Sequence, residues 1–145
     1  MTYNKDFRPR LKGNKLAAFN NITQKERRIL IVGDIHAPFS LNGYLDFCKE
    51  TYAIYNCNQV IFIGDIIDNH YSSFHTTDPD GMGGGDELDL AIFSIQDWVK
   101  AFPKADVLIG NHDRMIMRKA FESQIPKRWI KSYNEVLGTE WNWIE

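Results

Sequence analysis

Short apolar runs alternate with amphipathic segments along the chain from residue 29 onward. The apolar runs cover residues 28–32, 59–63 and 105–109, and a glycine follows each of them directly. Runs of this length, rich in Val and Ile and bounded by glycine, are typical of buried strands. The pattern therefore predicts three strands.

Apolar residues recur at intervals of three and four in the segments between these strands, which indicates helices. The first stripe runs from Leu41 to Tyr55 with Asn42 as a candidate N-cap, and the second runs from Leu88 to Phe102 and ends at Pro103. A third helix is expected after residue 113, with Met115, Met117 and Phe121 as packing residues.

Strands that alternate with helices predict βαβ units and a parallel sheet. Because such crossovers are right-handed, all three strands end at the same edge of the sheet, where open α/β sheets bind ligands. A chain of 145 residues, 43% of them hydrophobic, can bury one core. We expect one α/β domain over 29–145, built as a parallel sheet with flanking helices.

Metal-type donor side chains follow the glycine at the end of each predicted strand. Each motif alone is ordinary turn chemistry, but three of them at one sheet edge predict that their donors converge. The mixture of oxygen and imidazole donors suits a hard or borderline divalent ion. The motifs are Gly33-Asp34-Ile35-His36, Gly64-Asp65-Ile66-Ile67-Asp68 and Gly110-Asn111-His112-Asp113.

This series of motifs resembles that of the calcineurin-like metallophosphoesterases, a superfamily of two-metal hydrolases. The resemblance covers residues 29 to about 122 and extends more weakly to the end of the chain. The flanking residues 37–39, 86–91 and 131–138 look most like stand-alone members encoded by bacterial viruses, the bacteriophage type.

The resemblance implies hydrolysis of phosphoester bonds, by a phosphatase or phosphodiesterase, through a hydroxide activated by two divalent ions. Mn²⁺, Fe²⁺/Fe³⁺ and Zn²⁺ are the candidate ions. The resemblance makes Asp34 and His36 ligands of the first ion, Asp65 the bridging ligand, and Asn111 a ligand of the second ion. It places His112 beside the pair, unligated, as a proton donor or as a cation that stabilises the phosphoryl oxygens.

Further residues near these motifs are candidates for supporting roles. Asp68 and Asp113 are expected to orient a histidine or to close a turn. Arg114 could reach a substrate phosphate, although solvation is the commoner role of such an arginine. His70 and His75 lie in the loop after the second strand; exposure or substrate binding is favoured over metal ligation, and His70 is the better candidate ligand.

The family pattern also contains a further histidine and a Gly-His-x-His element, which complete both metal shells. This chain has only four histidines and none after residue 112, so its ligand set is incomplete. The implied fold is a four-layer α/β/β/α sandwich, of which the chain would supply one half. Two interpretations stay open: an N-terminal half completed by a second polypeptide that supplies the missing histidines, or a non-catalytic remnant or interaction domain with a partial metal site.

Charge is distributed unevenly along the chain. Residues 1–28 carry eight Lys/Arg against two acidic residues, whereas the rest of the chain carries nine against seventeen. We favour a solvated basic leader over 1–28, and binding of nucleic acid by this arm is the alternative.

Cysteine usage and hydropathy indicate the cellular environment. Cys48 and Cys57 do not form a disulfide framework or a clustered metal motif, so we expect reduced packing residues. No apolar stretch reaches the roughly 18–20 residues of a membrane span, and the N-terminus lacks the apolar centre of a signal peptide. We therefore expect a cytoplasmic protein without a membrane partner.

Overall fold

A computed structural model describes residues 26–145, and the predicted leader lies almost wholly outside them. The described residues contain a four-stranded sheet in the order β1-β2-β3-β4, with every neighbouring pair parallel. This confirms the predicted α/β class. The strands are β1 (Ile29–Val32), β2 (Gln59–Phe62), β3 (Asp106–Leu108) and β4 (Asn142–Ile144).

Strand β4 extends the predicted sheet of three strands by one. It pairs with β3 from Asp106↔Asn142 to Leu108↔Ile144. Three residues are too few to show an alternating pattern in the sequence, so β4 depends on its pairing with β3. The preceding Trp141 is only 2% exposed, and its indole N–H donates to the carbonyl oxygen of Phe102 at 2.8 Å.

The described helices agree with the apolar stripes and add a short one. They are α1 (Tyr44–Ile54), α2 (Gly84–Ala101), α3 (Met115–Glu122) and α4 (Tyr133–Leu137). Helix α1 is capped by Gly43, in the left-handed conformation with φ 81°, and not by Asn42 as expected. Helix α4 begins with a capping box in which Ser132 and Glu135 satisfy each other's backbone N–H groups.

One face of the sheet is buried under the helices. Leu30, Val32, Val60, Phe62 and Val107 point to this face and pack in one cluster with residues of α1 and α2. Phe62 is fully buried, with its ring centroid 4.7 Å from that of Trp141 and 6.0 Å from that of Trp98. The aromatic contacts join the sheet, α2 and the segment before β4 into one core.

The opposite face of the sheet carries exposed aliphatic side chains. Five of them have exposed fractions between 40% and 62%, although parallel sheets are usually buried on both faces. This arrangement fits the expectation that the chain supplies one sheet layer with its helices. The exposed residues are Ile29, Ile31, Ile63, Leu108 and Ile144.

None of the helices within residues 26–145 combines the length and the apolar character of a membrane span.

Replacing Trp141 with alanine removes the largest fully buried side chain of the core. We expect Trp141→Ala to lower the free energy of unfolding by about 3–5 kcal/mol, measured by urea denaturation. Trp129→Ala is the matched control, because Trp129 is 79% exposed, and its effect should stay within about 0.5 kcal/mol. Equal effects of the two substitutions would contradict the packing described here.

Candidate metal centre

Hydrogen bonds hold the turn after β1 against the turn after β2. The N–H of His36 donates to the carbonyl of Asp65, and the N–H of Ala37 to that of Ile66, both at 2.9 Å. The N–H of Asp68 donates back to the carbonyl of Ala37 at 2.9 Å. The parallel pairing of β1 and β2 therefore continues past both strand ends and fixes His36 beside Asp65.

The buried carboxylate of Asp113 joins the turn after β2 to the turn after β3. Its Oδ1 accepts from the N–H groups of Ile66 and Ile67 at 2.9 and 3.2 Å, and its Oδ2 accepts from Gly110 at 3.0 Å. Burial raises the pKa of Asp113, while the three backbone donors lower it to a smaller extent. Asp113 therefore joins its own turn to Ile66 and Ile67, which lie 47 and 46 residues before it in the chain.

Glycine is required where these two turns touch. A Cβ placed on Gly64, whose φ is +101°, would lie 2.7 Å from the Cα of Gly110. A Cβ on Gly110 would collide with the backbone N and Oδ1 of Asp65. The two glycines thus allow backbone contact, and this contact sets the position of the Asp65 carboxylate.

Several residues at the site have the left-handed backbone conformation, which is unfavourable for residues other than glycine. Asp34 and His36 have φ 48°, Asp65 has φ 52° and Asn69 has φ 51°. Such conformations cost roughly 1 kcal/mol or more each and persist only where neighbouring contacts enforce them. The strain is concentrated on three of the four predicted ligands and on the residue next to Asp68.

His36, Asp65 and His112 form a compact group of potential metal ligands. One ligand atom from each lies within 4.8 Å of the others, and all three residues are half-buried. The Nε2 of His36 is 3.8 Å from Oδ2 of Asp65, and the two imidazole centroids are 4.7 Å apart. Sequence-distant side chains from all three predicted motifs therefore meet at this edge of the sheet.

Asp68 orients both imidazoles of this group. Its Oδ1 lies 2.8 Å from Nδ1 of His36, and its backbone carbonyl oxygen lies 2.5 Å from Nδ1 of His112. A carboxylate and a carbonyl only accept hydrogen bonds, so Nδ1 carries a proton in each ring and the neutral form of each ring has its lone pair on Nε2. Imidazoles held in this way are typical metal ligands, so the donor set fits a divalent ion.

The other predicted site residues lie around this group. Asp34 and Asn111 are exposed on the turns after β1 and β3, and Asp34 is outside the 4.8 Å group. Of the three predicted ligands with a carboxylate or an imidazole, the structure thus brings His36 and Asp65 together, with His112 as the third member of the group. Arg114 and the side chain of His70 are exposed.

Cys48 lies in the core. Burial raises the pKa of its thiol to about 12. The thiol therefore stays protonated, which makes it a packing residue and not a metal ligand.

Glu87 is a supporting residue that the sequence analysis did not identify. It is 5% exposed, and its carboxylate accepts from the backbone N–H groups of His70 and Tyr71 at 2.6 and 3.0 Å. It thereby holds the 3₁₀ turn His70–Ser72, which directly follows Asp68 and Asn69. Its position in the sequence could have indicated this role. Glu87 precedes Ala91 by four residues, which places its carboxylate on the buried face of α2.

Weakening the contact between Asp68 and His36 should weaken metal binding. We expect Asp68→Asn to raise the dissociation constant for Mn²⁺ or Zn²⁺ about 10- to 100-fold, measured by isothermal titration calorimetry. Asp97→Asn is the control, since Asp97 is an exposed residue of α2 whose carboxylate pairs with Lys100 at 3.0 Å. Equal affinities of the Asp68→Asn variant and the parent chain would contradict this role of Asp68.

Comparison with known proteins identifies the family. The family model described as calcineurin-like phosphoesterase matches residues 27–143, which includes β1, β2, β3, the first two residues of β4 and the whole candidate centre. None of the curated proteins and none of the solved structures compared with the chain matches it. The chain belongs to the calcineurin-like phosphoesterase family.

Proposed function

We propose that this protein hydrolyses phosphoester bonds with divalent ions held at His36 and Asp65, beside the imidazole of His112. The observation that carries the proposal is the double role of Asp68, which fixes the rings of His36 and His112 through Nδ1 and leaves Nε2 of His36 available beside the carboxylate of Asp65. Membership of the calcineurin-like phosphoesterase family supports the same class of reaction. Two ions chosen from Mn²⁺, Fe²⁺/Fe³⁺ or Zn²⁺ are proposed as the cofactor.

The residues of the chain contribute position and charge. Oδ1 of Asp65 accepts from the backbone N–H of His112 at 2.9 Å, which orients the carboxylate and leaves Oδ2 toward His36. The divalent ions, when bound, supply an acidified water as the nucleophile and positive charge for the phosphoryl oxygens. We propose Asp34 and Asn111, on the flanking turns, as additional ligands.

His112 is proposed as the group that acts on the substrate. The carbonyl of Asp68 accepts from Nδ1 of the His112 ring, so in the imidazolium form the N–H at Nε2 would be the one available to a leaving group. The carbonyl of His112 accepts from Nδ2 of Asn69 at 2.9 Å, which anchors the residue from its backbone as well. A positioned imidazole of this kind contributes a factor of about 10²–10⁴ in rate.

A second polypeptide that supplies further histidines is also proposed. The chain contains only His70 and His75 besides the two histidines of the centre. The aliphatic face of the sheet supports the proposal, because Ile63 and Leu108 lie on it just before the turns that carry Asp65 and Asn111. A polypeptide packed on this face would lie next to the centre.

Metal-dependent turnover is the direct test of the proposed reaction. We expect Mn²⁺-dependent hydrolysis of bis-p-nitrophenyl phosphate or p-nitrophenyl phosphate, lost with EDTA and reduced at least about 100-fold in Asp65→Asn. Asp97→Asn should retain the activity of the parent chain. Turnover that survives both EDTA and Asp65→Asn would contradict the proposal. Absence of turnover with manganese, iron and zinc ions alike would contradict hydrolysis by this chain unaided.

Replacing His112 separates proton donation from metal ligation. We expect His112→Asn to lower kcat by about 10²–10⁴ while the dissociation constant for Mn²⁺ changes less than about twofold. Steady-state kinetics and calorimetry on the same preparation provide both numbers. A tenfold loss of metal affinity would contradict the proton-donor role and make His112 a ligand.

A further inference from the structure

A cleft of about 480 Å³ lies directly beside the candidate metal centre. Asn111 and His112 line it together with residues of α3 and of the loop 73–75. Its volume is in the range of small-molecule sites and exceeds what one phosphate group requires. The cleft shares His112 with the centre, so a substrate bound at the centre would extend into it.

The charged residues that line the cleft favour anions. Arg114 and Arg118 contribute guanidinium groups and His75 an imidazole, and the lining drawn from residues 26–145 contains no carboxylate. Glu122 accepts from Nε of Arg118 at 3.2 Å but lies outside the lining. That bond uses one of the five N–H groups of the guanidinium, and the planar fork suits bidentate binding of phosphate.

Contacts with α3 hold the loop opposite the arginines. The guanidinium carbon of Arg118 lies 4.4 Å from the ring centroid of Phe74, and Nζ of Lys119 lies 5.3 Å from the same centroid. Nζ of Lys119 also donates to the carbonyl of Ser73 at 3.4 Å. Stacking on Phe74 limits the rotation of Arg118, so less side-chain entropy is lost when it binds an anion.

We propose that this cleft binds a second phosphate group of the substrate, with Arg114 and Arg118 as its ligands. The preferred substrates are then organic phosphoesters that carry another phosphate near the scissile one. The inference rests on the proposed function, because it places the scissile phosphate at His36, Asp65 and His112. A nucleoside bisphosphate and the phosphorylated end of an oligonucleotide both carry a second phosphate near the scissile one.

Binding of adenosine 3′,5′-bisphosphate and of adenosine 5′-monophosphate to the full chain tests the proposal. We expect the bisphosphate to bind about tenfold more tightly by calorimetry, in the parent chain with EDTA and in His112→Asn with Mn²⁺, where turnover is slow. Arg114→Gln and Arg118→Gln should each weaken bisphosphate binding about tenfold and monophosphate binding less than twofold. A 5′-phosphorylated oligothymidylate that binds more tightly still, with the same arginine dependence, would identify the source as nucleic acid.

Arg128→Gln is the matched control, since Arg128 is exposed and does not line the cleft. It should bind both nucleotides as the parent chain does, and Arg118→Lys should retain part of the preference. Equal affinity of the parent chain for the two nucleotides, or equal losses in Arg118→Gln and Arg128→Gln, would overturn the proposal. Binding in EDTA does not depend on turnover, so failure of the proposed hydrolysis and failure of this subsite are distinguishable.

Discussion

The candidate centre depends on the buried carboxylate of Asp113. Three backbone N–H groups from the turns after β2 and β3 converge on it, so the two turns keep one fixed relation. Gly64 and Gly110 permit the close backbone contact that this relation requires. Leaving these buried donors without their acceptor would cost roughly 1–3 kcal/mol for each group. Asp113 therefore controls the site without belonging to its proposed ligands.

A second set of contacts orients the imidazole rings of the candidate centre. Asp68 accepts from Nδ1 of both His36 and His112, through its carboxylate and its backbone carbonyl. Glu87 holds the turn that follows Asp68, because its carboxylate accepts from the backbone N–H groups of His70 and Tyr71. The strained φ values of Asp34, His36 and Asp65 are maintained by this network. The site thus combines preorganised donors with an adjacent cationic cleft.

The sequence predicted the fold class and the meeting of three motifs because both follow from strand periodicity and the geometry of parallel sheets. It did not predict β4, because three residues are too few to show the two-residue alternation of a strand. The strand forms through its pairing with β3. The sequence analysis missed Glu87 because the carboxylate fits the first turn of a helix as well as a buried contact. The side-chain geometry around His112 depends on Asp68 and Asn69, and such tertiary contacts leave no pattern in the chain. The assignment of each ligand to an ion stays a prediction.

Anomalous X-ray diffraction from crystals of the chain grown with Mn²⁺ or Zn²⁺ tests the central claim most directly. The account predicts an anomalous peak about 2.0–2.2 Å from Nε2 of His36 and from a carboxylate oxygen of Asp65, with Nδ1 of His36 still bonded to Asp68. A fully occupied peak elsewhere on the molecule, with the His36–Asp65–His112 group free of metal, would contradict it.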